Sequence, residues 1–579
     1  MIYRSFQGYL RLLLALTAMT CVHRILILGI DVSNNFGAIY YGSGNKAELY
    51  QAWWHQYRAP ILTGLVSDGI FVLSASLLAF VVSPRWMILP LLLLSLFYAA
   101  NIEHVHYNFS HIRLGTLYMA LDPTFVEGSG LTQDMLVNLC VIAAIAVVAY
   151  RFTRFAVMRT VAGAAAVIML GAAVILPHDM NPLDPGWMQT HPLALTLPGG
   201  KTGRSANTFM SSALDSGTLT PEPPHGRRHN ILVVYLEGVS QYSLANGSMP
   251  FLKSLAADNL SFSRYFGTQL QTSNGLYSSL TGHYPNFLSV SSPWDTMSSE
   301  GPDAQQSLPR VLAQQGYSTA FLQSADLGFM NKAEHLSQLG FEDVKGRETW
   351  TDFHSENGWG IDDLGLFEAT LGYIDELPTD RPWLVSLLTS GTHAPYNVPA
   401  DYQPGEPNRL RALTYADAAA QALMEGLRTR GLLDDTVVIF TADESREPGG
   451  KSNLENEILL NWLPLIVVNP NGQGGTIDWP LAATTFRDLA LRLAGDWTRR
   501  DIEALNTPDS PLVFGNYYKS RVFWFDRQRG DFYACYTQNF LCAQFKNISD
   551  LTQLAGLSPA AVSEEPAMQA IFQRHEDSQ

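Results

Sequence analysis

"NILVVYLEGVS" occupies residues 230–240, and its reading decides the fold of the larger half of the chain. Six apolar or aromatic residues follow one another from Ile231 to Leu236 without alternation, and then a carboxylate and a glycine stop the run. An unbroken apolar run of this length is a strand buried on both faces, whereas alternation would mark a strand with one wet face. The same form recurs in "STAFLQS" (318–324), "WLVSLLTSGTH" (383–393), "TVVIFTADES" (436–445) and "LPLIVVNPNG" (463–472). Helical patterns such as "LTYADAAAQALMEGLRTRGLL" (413–433) lie between them. Buried strands alternating with amphipathic helices predict an α/β domain with a mostly parallel central sheet. Ligands of such sheets collect at the carboxyl ends of the strands. The polar residues closing the runs are therefore the first candidates: Glu237, Ser324 with Asp326, His393, and Asp443 with Glu444.

Outward from this half, the composition changes. The chain has 579 residues, of which 47% are hydrophobic and 16% charged, and the apolar excess is concentrated before residue 177. Five stretches there, 8–30, 59–83, 86–102, 134–152 and 155–176, predict an α-helical membrane domain of about five spans over residues 1–176. Arg4, Arg11, Arg85, Arg151, Arg154 and Arg159 then fall on one side, with Arg24 and Arg113 as exceptions. That side is cytoplasmic by the basic-residue rule, which puts everything after residue 176 outside, in a periplasmic or outer-face location. Residues 31–58 and 103–133 become outer loops, and Pro- and Gly-rich 177–228, ending in "TPEPPHGRRHN", reads as a linker. A net charge of −16 argues against nucleic acid as a partner. Cys21 and Cys140 lie in apolar stretches, whereas Cys535 and Cys542 could bridge a short hairpin in an oxidising compartment, within a C-terminal extension over 526–579.

"FGTQLQTSNGLYSSLTGHYP" (266–285) contains a helix start with Thr272 and Ser273 at its edge. By themselves these residues fit a plain N-cap as well as a nucleophilic hydroxyl, because a helix N-terminus favours both.

Taken in order, "VVYLEGVS" (233–240), "QTSNGLYSSL" (271–280), "GWGIDDLGLF" (358–367), "TSGTHAPY" (389–396), "VVIFTADE" (437–444) and "LPLIVVNPNG" resemble the alkaline phosphatase superfamily. More closely, residues 8–525 resemble the lipoteichoic acid synthase-type phosphoglycerol transferases: five membrane spans, a linker, and an extracytoplasmic sulfatase-like domain, here 229–525. The resemblance implies Glu237, Thr272, Asp443 and Glu444 as ligands of a divalent metal, Thr272 as the catalytic nucleophile and His393 as a catalytic and substrate-contacting residue. Ser273 and Lys332 join His393 as substrate-binding candidates. It also implies a phospholipid donor, phosphatidylglycerol first, and a glycan or glycolipid acceptor at the membrane.

Two positions depart from the family. Its Asp-His pair is Asp443–Glu444 here, which exchanges a neutral nitrogen for an anionic oxygen and favours Mn²⁺ or Mg²⁺ over Zn²⁺. In "SADLGFMNKAEH" (324–335), Met330 and Lys332 stand where the synthases carry Trp and Arg. Lys meets a phosphate as a point charge, not as a bidentate fork. Phosphoethanolamine transfer, or a binding protein that kept the fold without catalysis and serves glycan export, are the alternative readings. A sulfatase is excluded because "TSNGL" lacks the C/S-x-P-x-R setting.

Overall fold

The computed structural model describes residues 2–35, 46–77, 86–108, 111–112, 133–152, 191–195, 221–285, 299–403, 408–445 and 458–506, and then 512–516, 521–527, 529–536, 541–546, 551 and 561–564. They divide into two compact units.

The N-terminal unit is helical: α1 (Ile2–Asn35), α2 (Lys46–Ser76), α3 (Ile88–Asn108) and α4 (Gln133–Phe152). Leu12, Leu16, Met19, Val72, Leu91 and Ile142 form its apolar core. The five-span reading needs correction. Among the described residues, only Gln7–Ile30 and Ile88–Val105 are long and apolar enough to cross a bilayer. Ile61–Ser76 and Met135–Val148 are shorter apolar helices. The expected second span, 59–83, runs past Leu77 into residues outside the described ones. The expected fifth span, 155–176, lies outside the described residues.

Inside this unit the helices are joined by polar groups. Arg24 forks onto Asp68, with Nε to Oδ2 at 2.9 Å and Nη2 to Oδ1 at 2.8 Å, both side chains 3% exposed. His191 Nδ1 accepts from the Leu193 amide at 3.2 Å, so its proton sits on Nε2, which donates to Tyr98 OH at 2.8 Å. Tyr98 OH lies 2.7 Å from Thr20 Oγ1. Asn101 Nδ2 donates to His23 Nε2 and His111 Nδ1, each at 2.9 Å, while its Oδ1 accepts from the Ile112 amide.

The second unit is built on an eight-stranded sheet. Its elements in chain order are β1 (Asn230–Tyr235), β2 (Leu260–Phe262), α5 (Thr272–Thr281), β3 (Ser318–Gln323), α6 (Lys332–Leu339), β4 (Asp343–Lys345), α7 (Asp363–Asp375) and β5 (Trp383–Leu388). There follow α8 (Arg409–Thr429), β6 (Thr436–Thr441), β7 (Ile466–Val468), β8 (Gly475–Ile477) and α9 (Phe486–Leu493). The strand order is β8-β2-β7-β6-β1-β5-β3-β4. β7 alone runs antiparallel to both of its neighbours, so the sheet is mostly parallel, as the apolar runs imply. Every residue of β3, β5 and β6 is buried, which requires cover on both faces.

A separate five-stranded antiparallel sheet comes last among the described elements: β9 (Leu512–Asn516), β10 (Arg521–Asp526), β11 (Asp531–Tyr536), β12 (Leu541–Phe545) and β13 (Ala561–Glu564). The boundary drawn from sequence between 525 and 526 falls within this sheet, because an antiparallel meander cannot be cut without exposing an edge. Cys535 stands opposite Cys542 in the β11–β12 ladder and is disulfide-bonded.

Candidate metal centre and active site

The two central strands fix the first part of the site. β1 and β6 are parallel, with Tyr235 level with Thr441, so the residues two steps on, Glu237 and Asp443, emerge side by side at the carboxyl edge. Glu237 is held by its backbone: its amide donates to Thr389 Oγ1 at 3.0 Å, and its carbonyl accepts from Thr392 Oγ1. Both threonines sit just beyond β5, the other neighbour of β1. Asp443 Oδ1 accepts from the Gly238 amide at 3.4 Å.

The start of α5 completes the group. Thr272 is the first residue of the helix rather than the residue before it; Gln271 takes the cap position, at φ 89° and ψ 131°. Side chains rarely adopt this backbone region, and Gln271 gives the helix no side-chain cap. Instead its backbone amide donates to Glu444 Oε2. Thr272 is half-buried, and its Oγ1 donates to Glu237 Oε2 at 3.4 Å. Ser273, one residue on, is 2% exposed and packed inward.

The helix reaches this position because of Gly275. A Cβ there would stand 1.8 Å from the Asp443 carbonyl oxygen. At the other end of α5, Arg487 on α9 donates from Nη1 to the Thr281 carbonyl at 2.6 Å, a favourable place for a cation. Gly282, at φ 79°, leaves room for that guanidinium.

Glu237, Asp443 and Glu444 each offer an oxygen within 4.8 Å of the others, and all three side chains are buried. Burial pushes the Asp443 carboxyl well above the usual carboxylate range, and the neighbouring Glu237 charge pushes it further. Asp443 Oδ2 is buried without a hydrogen-bond donor of normal geometry. Three carboxylates crowded out of water repel one another unless a cation joins them. An all-oxygen donor set beside a hydroxyl suits a hard divalent ion. The residues present therefore fit a metal ion.

Lys332 is a buried cation beside the three carboxylates. It opens α6, 6% exposed, after a turn in which Met330 and Asn331 both take left-handed φ values of 56° and 53°. Burial lowers its pKa, opposed by the attraction of Glu237, Asp443 and Glu444. Its ammonium lies 6.0 Å from the centre of the Phe329 ring.

His393 lies in the loop after β5, half-buried. Its Nδ1 faces the Ala394 carbonyl at 2.6 Å, so that nitrogen carries a proton and Nε2 is the one that can give or take another. The ring packs on Trp359 at 4.5 Å, and Trp359 meets Phe329 at 5.3 Å. Phe329, Trp359 and His393 thus make one wall next to Lys332. Of the other strand-end candidates, Ser324 is fully buried, and Asp326 folds back to cap the Gly328 amide at 2.6 Å.

Sequence reasoning missed Thr389, Thr392, Gln271, Gly275 and Trp359. Only Gly275 left a signal, because a glycine inside a helical stretch costs about 1 kcal/mol and so calls for a packing reason.

Residues 229–474 match the sulfatase family. Over 246 residues the chain is 26% identical to "Inner membrane protein YejM" of Salmonella typhi, covering 41% of this chain and 38% of that protein. Over 234 residues it is 25% identical to "Lipoteichoic acid synthase" of Staphylococcus saprophyticus, covering 38% and 36% respectively. The match thus spans less than two fifths of either relative. A solved structure, a protein in the alkaline phosphatase superfamily from Vibrio parahaemolyticus, superposes with a TM-score of 0.50 at 17% identity, covering 66% of this chain and 97% of that one. Fold and sequence relatives agree with the resemblance carried by the motifs.

Proposed function

We propose that this chain, whose residues 229–474 form a sulfatase-family domain, transfers a phosphoglycerol group from a membrane phospholipid to a hydroxyl of an extracytoplasmic glycan or glycolipid. Phosphatidylglycerol is the donor this reading favours. The observation that carries it is a cluster of three buried carboxylates, one of them accepting from the hydroxyl at the head of a helix, with a buried lysine in electrostatic reach of all three. The lipoteichoic acid synthase relative supports the group transferred, and the relative named as an inner membrane protein supports the location.

Glu237, Asp443, Glu444 and Thr272 would hold a divalent ion, Mn²⁺ or Mg²⁺ in preference to Zn²⁺. Such an ion lowers the pKa of a bound hydroxyl and neutralises phosphate charge. Thr272 Oγ1 attacks phosphorus while Glu237 Oε2, its hydrogen-bond partner, takes the proton. The bond from phosphorus to the diacylglycerol oxygen breaks, and protonated His393 gives that oxygen its proton. The product is a phospho-threonine ester, with the lipid left in the bilayer. In the second half, neutral His393 removes the acceptor's proton at Nε2, the acceptor oxygen attacks phosphorus, and Thr272 recovers its proton from Glu237. Lys332 and the α5 amides face the phosphate oxygens throughout, which is where a fixed positive field lowers the barrier. Ser273 lines the first turn of that helix.

Mass spectrometry of residues 265–285 after incubation with phosphatidylglycerol, Mn²⁺ and no acceptor tests this. A phosphoglycerol adduct on Thr272 is expected. An adduct from phosphatidylethanolamine alone would transfer the reading to phosphoethanolamine. No adduct from either donor, together with no bound metal, would make the domain a binding protein, a reading that the glutamate at 444 favours. A reporter fused after residue 176 tests the location, and reporter activity confined to the cytoplasm overturns it.

A further inference from the structure

Glu444 occupies the position where the resembled family carries a metal-binding histidine, and it makes a bond that such a histidine cannot. Its Oε2 accepts from the backbone amide of Gln271, the residue immediately before Thr272. A carboxylate has two oxygens and can serve an ion with one while accepting from an amide with the other. An imidazole bound to a metal through one nitrogen presents N–H at the other, so it can only donate there. The Gln271 amide has a hydrogen to give, and a metal-bound histidine would set two donors against each other.

We infer that Glu444 is a positioning residue for the nucleophile, a latch between the 443–444 turn and the head of α5. Three further observations agree. Gln271 sits at φ 89°, a backbone state that an ordinary residue keeps only when its surroundings hold it. The Gln271 side chain makes no cap hydrogen bond to the helix, and its backbone amide is instead held by Glu444. Four residues further on, Gly275 lies against the carbonyl of Asp443, so the same turn grips α5 at two points on one side. The exchange of histidine for glutamate therefore alters more than the choice of metal. It ties the orientation of the Thr272 hydroxyl to the same side chain that helps to hold the ion. This inference rests on the metal-centre reading of the site, but its test does not need the transfer reaction.

The test uses the full chain in detergent and three variants: Glu444→Gln, which keeps an acceptor oxygen of the same size but loses the charge; Glu444→His; and Glu444→Ala. Two readouts are taken. One is hydrogen exchange of the peptide containing Gln271, with and without metal; the other is calorimetric affinity for Mn²⁺ alone and Zn²⁺ alone. The latch predicts that Glu444→Gln exchanges within about threefold of the parent while its Mn²⁺ affinity falls at least tenfold. Glu444→His should bind Zn²⁺ and yet exchange at Gln271 at least tenfold faster than the parent, as Glu444→Ala does. Parent-like protection in Zn²⁺-loaded Glu444→His overturns the inference, and so does Glu444→Gln exchanging as fast as Glu444→Ala. If the exchange pattern follows prediction but no donor ever modifies Thr272, the proposed activity fails and the latch stands. If Thr272 is modified and the exchange pattern is flat, the reverse holds.

Discussion

The two units each bury a cluster of polar and charged side chains, and the clusters are built to opposite rules. In the helical unit, Arg24 meets Asp68 through two hydrogen bonds, and His23, His111, His191, Asn101, Tyr98 and Thr20 pass hydrogen bonds among themselves. One cation faces one anion. In the sheet unit, three carboxylates lie within 4.8 Å of one another, and one lysine, its ammonium 6.0 Å from the Phe329 ring centre, is their electrostatic neighbour. The first arrangement pairs its charges and reads as architecture. The second carries excess negative charge and reads as a place for something else.

The sharpest way to break this contrast is to remove one carboxylate from each. Asp68→Ala strands a buried guanidinium and should cost about 3–5 kcal/mol, with a large fall in the thermal midpoint of the helical unit. Asp443→Ala should do the opposite in metal-free protein, raising the midpoint because it relieves the repulsion from Glu237, while bound metal and transfer both disappear. Equal destabilisation by the two changes would end the distinction. Thr272→Ala should remove transfer by about 10³-fold or more, in the range of lost nucleophiles, with metal-free stability unchanged. Ser273→Ala should leave measurable turnover, and a donor-derived group found on Ser273 would reverse the assignment.

A buried acid beside the site gives an effect of intermediate size. Asp363, in the first turn of α7, accepts from the Gly391 amide at 2.9 Å. Burial pushes its carboxyl up to about 7, against that hydrogen bond and with help from the Asp362 charge. Tyr415 faces the same pair, donating to Asp362 Oδ1 at 2.6 Å. Because the folded value lies above the unfolded one, the native state holds the extra proton between about pH 4 and pH 7. Stability contributed there is greatest below that window and is lost as pH rises through it, by a few kcal/mol at most. Denaturant titrations of the parent should show this fall, and Asp363→Asn should flatten it. The smallest effect is expected at the exposed Arg428–Glu425 pair, where Glu425→Ala should leave the unfolding midpoint unchanged.

The parallel sheet was legible because unbroken apolar runs have only one comfortable setting. The strand-end rule then pointed to Glu237, Asp443 and Glu444, and the register of β1 against β6 brings them together. The parts that escaped the sequence are contacts without local pattern. Thr389 and Thr392 matter because they lie beside Glu237 in space, 152 and 155 residues away in the chain. Trp359 is informative only once its ring meets His393. Arg24, which looked like a stray exception among the basic residues, is explained by Asp68, a lone acid in an apolar stretch. The span count differs because only two of the expected stretches stay apolar over 18 or more described residues.

Gly275 has a consequence for tolerance. With no methyl between α5 and the Asp443 carbonyl, the Thr272 hydroxyl and the 443–444 turn are referenced to the same surface, like two fittings drilled from one jig. The cost is that the jig has no adjustment. A single added carbon at 275 would meet the carbonyl oxygen at 1.8 Å, so the head of α5 and the 443–444 turn would have to part.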